Sequence, residues 1–231
     1  MIKAVFFDLY QTLVRYEPPR EEIEAKVLKD FGIETTPEAL VRPIIAADEF
    51  IYNEIARQPL SARSKEEKFA LYARYQAVLL REAGLKYDQK AIPRLLQAMQ
   101  QSQMDLVLFN DVAPTLDDLK RRELTLGLIS NVEQDMVQTL TKLGLAAWLK
   151  IIVTSQEAGA GRPRPEIFQL ALKRGGVKAS EAIYIGDQYH VDVVGARGVG
   201  MKAVLIDRGD YYRAITDCPR IKSLEEVAGL L

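Results

Sequence analysis

Four short runs of aliphatic and β-branched residues, Ala4–Phe7, Thr125–Ile129, Ile151–Thr154 and Ala182–Ile185, stand out along the chain, with Ala203–Ile206 as a fifth. They are almost continuously apolar rather than alternating, which is the pattern of strands covered on both faces of a parallel sheet. Helix-like segments of suitable length separate the later runs: Asp135–Leu143 joins the second to the third, and Pro165–Arg174 the third to the fourth. Strand and helix in alternation predict an α/β fold with a Rossmann-like, doubly wound parallel sheet.

The interval between the first run and the rest has a different period. Glu21–Asp30, Pro37–Ala56, Lys65–Ala83 and Gln89–Gln101 all carry helical spacing, and Phe69, Tyr72, Gln76 and Leu79 form one stripe with Leu80 beside it. No strand-like run interrupts them. The expected organisation is therefore a core of residues 1–14 and 105–231 with an α-helical cap of residues 15–104 inserted into it. Aromatic residues in the insert are expected to form its own core.

Composition narrows the function classes. Of 231 residues, 48% are hydrophobic and 27% charged, and the net charge is -1, so nothing draws the chain broadly to nucleic acid or an anionic membrane. Cys218 is the only cysteine, which excludes an internal disulfide and a cysteine-rich zinc site. The opening apolar run meets Asp8 too soon for a signal segment, and no stretch reaches the length of a membrane span. The expectation is a cytoplasmic protein, monomer or homodimer, with a small-molecule substrate.

In open parallel sheets, ligands collect beyond the carboxyl ends of the strands. The first run ends in Asp8-Leu9-Tyr10-Gln11-Thr12 and the second in Ser130-Asn131. Beyond the third comes Gly161-Arg162-Pro163-Arg164, and the fourth ends in Gly186-Asp187-Gln188-Tyr189-His190-Val191-Asp192. Any one of these polar residues could be a helix cap. Acids, hydroxyls, an amide and a cation at four successive strand ends form a complementary set.

That ordered set, Asp-x-x-x-Thr, apolar-Ser-Asn, a basic residue with Pro, and Gly-Asp-x-x-x-x-Asp, resembles the four motifs of the haloacid dehalogenase-like (HAD) superfamily. The resemblance covers essentially the whole core and places a helical cap after the first motif. It implies a hydrolase with Asp8 as nucleophile, Thr12 and Ser130 donating to the transferring group, and Asn131 orienting it. Arg162 stands where the superfamily usually has Lys. The resemblance further implies Mg²⁺ held by Asp8, Asp187 and the backbone carbonyl of Tyr10, with Asp192 supporting. A carboxylate approaches an anionic phosphoryl group only when cations offset both charges, which a hard oxygen-liganded ion and a guanidinium can do.

Two departures bear on the activity. Superfamily phosphatases carry a second Asp two residues after the nucleophile as general acid and base, and this chain has Tyr10, which resembles the 2-haloacid dehalogenases. An unperturbed phenol titrates near ~10, far from neutrality. The site then suits leaving groups that need no proton, such as halide, acyl phosphate or aryl phosphate. Asp187 and Asp192 pull the other way, because the dehalogenases work without metal and lack the Gly-Asp pattern. The favoured expectation is Mg²⁺-dependent hydrolysis of a small phosphorylated compound with a good leaving group. Carbon–halogen hydrolysis and a catalytically weak binding or regulatory protein are its rivals. His190, the only histidine, is expected to face water rather than replace the missing acid. Arg164 and Arg42 are expected to be solvent-facing charges.

Overall fold

The structure is a computed structural model that describes residues 1–132 and 136–231. In chain order, β1 (Ala4–Phe7) and β2 (Val14–Glu17) precede four helices, α1 (Arg20–Asp30), α2 (Pro37–Arg57), α3 (Lys65–Glu82) and α4 (Ile92–Gln101). Then come β3 (Asp105–Leu108), α5 (Val112–Arg121), β4 (Thr125–Ser130), α6 (Met136–Lys142), β5 (Ile151–Thr154), α7 (Ser155–Ala158) and α8 (Pro165–Gly175). The chain closes with β6 (Ala182–Gly186), α9 (Val194–Gly198), β7 (Lys202–Ile206) and the short β8 (Arg220–Ile221). Asp135, where the sequence pattern starts the helix now seen as α6, lies outside the described residues.

Six strands form a parallel sheet in the order β5-β4-β1-β6-β7-β8. β1 is central: Phe7 is level with Leu128 of β4 on one side and Ile185 of β6 on the other. After β4 the chain builds outward in one direction, and after β6 in the other, so the strand order reverses around β1. Every residue of β1 and β6 is buried, which explains their unbroken apolar character. Ala4 and Phe6 share a core with Ile129, Val153, Phe168 and Leu205, while Val5 and Phe7 are as fully buried on the opposite face.

The chain divides into two compact units, residues 1–15 with 107–231, and residues 16–106. The second is helical and has its own core, in which Ile23, Leu28, Leu40, Ala47, Leu79 and Leu95 pack together. Thr36 caps α2, and Ser64 with Glu67 forms a reciprocal capping box at α3, so both helices start where side chains accept otherwise unpaired N–H groups. Inside it, Asp48 takes Arg20 in a two-pronged pair at 2.8 and 2.9 Å and also accepts from the Tyr75 hydroxyl.

Two expectations are corrected. Phe69 and Tyr72 are 46% and 37% exposed, whereas Leu71, Gln76, Leu79 and Leu80 of α3 are buried. The two aromatics occupy the first turns of α3, and periodicity marks a face without showing whether anything covers it. The second correction is a strand, β2, running into the interval read as purely helical; it pairs with β3 as a separate two-stranded sheet. Among the described residues, no helix is long and apolar enough to cross a membrane.

Candidate active site

Asp8, Ser130 and Asp187 stand at the carboxyl ends of the adjacent strands β1, β4 and β6, the place where the strand order reverses. Asp8 continues the ladder, its N–H donating to the Ile185 carbonyl at 2.9 Å, and its side chain is only 3% exposed. The following loop is tightly folded. Leu13 and Val14 both donate to the Leu9 carbonyl, Gln11 donates to Val14, and Gln11 adopts a left-handed φ of 57°. Arg208, just past β7, fixes this loop from the side by donating to the carbonyls of Gln11 (3.3 Å) and Thr12 (2.8 Å). Asp111 holds Arg208 at 2.7 and 3.0 Å, and Phe109 lies beneath its guanidinium at 3.8 Å.

Arg162 is buried and bridges two acids. One terminal nitrogen lies 2.7 Å from Asp8 Oδ1, close enough for a strong ion pair although not aligned as a hydrogen bond. The other donates to Asp192 Oδ1 at 2.5 Å and to the Tyr184 hydroxyl at 2.7 Å. Asn131 clamps the same segment: its amide donates to the Arg162 carbonyl at 3.0 Å and its Oδ1 accepts the Arg162 N–H at 2.7 Å. Gly161 eases this approach, since a Cβ there would lie a tight 3.1 Å from the Asn131 amide.

Asp192 reaches the site because the chain after β6 turns through a π-helical segment, Tyr189–Val193, before α9. Its side chain folds back over Gly186, where any Cβ would collide with the carboxylate at 2.3 Å. Both of its oxygens are engaged, Oδ1 by Arg162 and Tyr184 and Oδ2 by the Gln188 N–H at 2.9 Å.

The electrostatic consequence falls on Asp8. Burial pushes its carboxyl up to about 7; Arg162 counteracts this, and the nearby Asp192 adds to it. Carboxylate oxygens of Asp8, Asp187 and Asp192 all lie within 4.8 Å of one another. This cluster of three acids beside one guanidinium is an all-oxygen donor set that can hold a hard cation. Within this cluster both Asp192 oxygens already accept hydrogen bonds, and Arg162 links Asp192 to Asp8.

Two further polar groups complete the centre. Thr12 Oγ1 and Ser130 Oγ are buried and have no hydrogen-bond partner among the described residues. A buried hydroxyl left unpaired costs roughly 1–3 kcal/mol, so these two, in the loop after β1 and at the end of β4, are donors available to a ligand. Tyr10 is half-buried, and its backbone bridges to Val14. His190 is exposed beside the Tyr189 ring, Arg164 is exposed and paired with Glu166, and Arg42 is exposed.

Residues 5–206 match the family model for haloacid dehalogenase-like hydrolases. The chain belongs to that family. Among the relatives of this hydrolase, a glyceraldehyde 3-phosphate phosphatase of Methanopyrus kandleri is 31% identical over 91% of this chain and 86% of its own. A phosphoserine phosphatase of Thermus thermophilus is 29% identical over 90% of each chain. A solved 2-haloacid dehalogenase of Pseudomonas syringae is 27% identical, with a TM-score of 0.58 over 100% of this chain and 98% of that one. A Bacillus subtilis HAD hydrolase solved with magnesium shares the fold at a TM-score of 0.66 and 18% identity, over 100% and 98% of the two chains.

Reading strand ends located Asp8, Ser130, Arg162 and Asp187 but missed Tyr184, Arg208 and Asp111. Tyr184 carried a usable signal, because a phenol in the otherwise aliphatic run Ala-Ile-Tyr-Ile needs a buried partner for its hydroxyl. Nothing local marks Arg208 or Asp111, which are 97 residues apart and meet only in the fold.

Proposed function

We propose that this hydrolase is a phosphatase that uses Asp8 as nucleophile and Mg²⁺ as cofactor on a small phosphorylated compound with a good leaving group. The observation that carries the reading is a buried Asp8 held by Arg162, with the buried, unpartnered hydroxyls of Thr12 in the loop that follows it and Ser130 at the end of the adjoining strand β4. A phosphoryl group presents several oxygens at once, and these donors suit them. Asp8, Asp187 and the Tyr10 carbonyl would hold Mg²⁺, which supplies charge neutralisation when bound.

The Asp8 carboxylate attacks phosphorus, the bond to the leaving oxygen breaks, and an aspartyl-phosphate forms on Asp8. Water then attacks phosphorus, the bond from phosphorus to the Asp8 oxygen breaks, and the phosphate leaves carrying the water's protons, which restores the carboxylate. Thr12 and Ser130 donate to the phosphoryl oxygens through both steps. Arg162 favours the anionic form of Asp8 against the effect of burial and aims it, and Asn131 acts by holding the Arg162 segment. We assign residues 16–106 as the cap that selects the substrate.

The phosphatase relatives support this reading, and Tyr10 specifically favours a second one, carbon–halogen hydrolysis, since it supplies no acid for a leaving group. The assay that separates them uses an activated aryl phosphate and 2-chloropropionate, each with Mg²⁺ and with chelator. Metal-dependent phosphate release supports the phosphatase, and metal-independent halide release replaces it with the dehalogenase.

Tyr10→Asp gives a second expected outcome. Restoring an acid at this position should raise turnover of alkyl phosphates by about 10²–10⁴, the usual contribution of a positioned general acid. Aryl phosphates should gain far less. Steady-state rates on one alkyl and one aryl ester check this, and an equal gain on both would remove the missing-acid argument.

A further inference from the structure

Tyr184 lies in the middle of β6, completely buried and the one residue with a hydroxyl in an otherwise aliphatic strand. Its ring is held edge-on by Phe168, with centroids 5.3 Å apart and planes at 87°. Its hydroxyl closes a triangle, accepting from Arg162 at 2.7 Å and donating to Asp192 Oδ1 at 3.2 Å. Burial of a phenol demands such partners, yet these partners belong to the reacting centre rather than to the core.

We infer that Tyr184 is a positioning residue for the hydrolysis, acting through Arg162: its hydroxyl and Asp192 grip one edge of the guanidinium so that the other edge meets Asp8. This rests on the reading of Asp8 and Arg162 given above. The guanidinium is a rigid plane, so fixing one terminal nitrogen and Nε fixes where the second terminal nitrogen points. Tyr184 and Asp192 hold the first, and Asn131 Oδ1 receives Nε at 3.4 Å. The remaining nitrogen then stands 2.7 Å from Asp8. With phenylalanine at this position the shape would be kept and one of the two acceptors at the gripped edge lost, leaving the plane freer to turn away from the nucleophile. An ammonium has no plane to fix, so the hydroxyl matters only while arginine stands at position 162.

The test is Tyr184→Phe in the native chain and in an Arg162→Lys background, with an aryl phosphate and Mg²⁺. In the native background, kcat should fall by about tenfold, the usual worth of one hydrogen bond to a charged group, with KM changed by less than about twofold. In the Arg162→Lys background the same change should alter kcat by less than about twofold. Equal losses in both backgrounds, or no loss in the native one, would overturn the inference. A second readout does not depend on turnover: ¹⁵N–¹H spectra of the Arg162 side chain, assigned by its disappearance in Arg162→Lys. Separate, slowly rotating terminal NH₂ signals should be seen in the native protein and should merge in Tyr184→Phe. Unchanged signals would contradict the positioning role. A native protein that hydrolyses no phosphate but shows the merging would retain the Tyr184–Arg162 link while removing the phosphatase reading.

Discussion

Asp8→Asn should abolish turnover and, in the metal-free protein near pH 8, raise the melting temperature. Loss of turnover follows because an amide cannot serve as the attacking carboxylate; the residual rate should be at least about 10⁴-fold lower. The stability gain follows from burial. In the fold the carboxyl of Asp8 titrates near 7 rather than at its ordinary value of 3.8, so the folded chain holds that proton more tightly than the unfolded one. Its ionisation therefore weakens the fold progressively as pH rises from about 4 to about 7, and the full cost is present above 7. Removing the charge should recover on the order of 1–4 kcal/mol above pH 7. For a chain of this size that is roughly 2–4 °C per kcal/mol. Arg162 keeps Asp192 as its partner, so the variant leaves no uncompensated buried cation. Thermal melts of the native chain and the variant at pH 4.5 and pH 8, with chelator, check this. The difference should be about a quarter as large at the lower pH as at the higher, where it should reach several degrees. A variant less stable than the native chain at pH 8 would show that the Arg162 pair outweighs desolvation.

Chelation is expected to have the second large effect. Removing Mg²⁺ should lower aryl-phosphate hydrolysis at least about a thousandfold, since a Lewis acid at a phosphoryl group contributes several kcal/mol to the transition state. The requirement should also depend on pH in a particular direction. A proton and the cation compete for Asp8, whose carboxyl sits near 7 in the metal-free site. Apparent Mg²⁺ affinity should weaken by up to about tenfold per unit as pH falls below 7, and level off above it. Mg²⁺ titrations followed by phosphate release at several pH values measure this directly. In Asp187→Asn the affinity should be poor at every pH, because that variant removes a ligand rather than changing its protonation. An affinity independent of pH between 5.5 and 8 would place the cation away from Asp8.

The sheet was legible because its strands are buried on both faces, which leaves runs such as Ala4–Phe7 and Ala182–Gly186 with almost no polar interruption. The same rule hid β2, whose Val-Arg-Tyr-Glu runs from buried to exposed and offers no apolar run. It also hid β8, which is only two residues long. The acids and hydroxyls were visible because a parallel sheet collects ligand-facing residues at its strand ends. What the side chains at those ends do to each other was not visible. Asn131, expected to orient the transferring group, turns its amide to the Arg162 backbone, since spacing locates a strand end without fixing where a side chain points. Arg208 shows the same limit more strongly, as it holds the carbonyls of Gln11 and Thr12 from almost 200 residues away. The sequence places Gly186 in a motif without showing that the Asp192 carboxylate folds back over it and leaves no room for a Cβ, a neighbour that only folding brings close.

The central claim is that Asp8 attacks phosphorus and carries the phosphoryl group in a metal-dependent hydrolysis. The most direct measurement is rapid quenching of the enzyme during turnover of a ³²P-labelled aryl phosphate with Mg²⁺, followed by peptide mapping of the trapped label. The account predicts an acid-stable, base-labile acyl phosphate on the peptide containing Asp8, absent with chelator and in Asp8→Asn. Label on any other residue, or phosphate release with no trapped species and undiminished in Asp8→Asn, would contradict it.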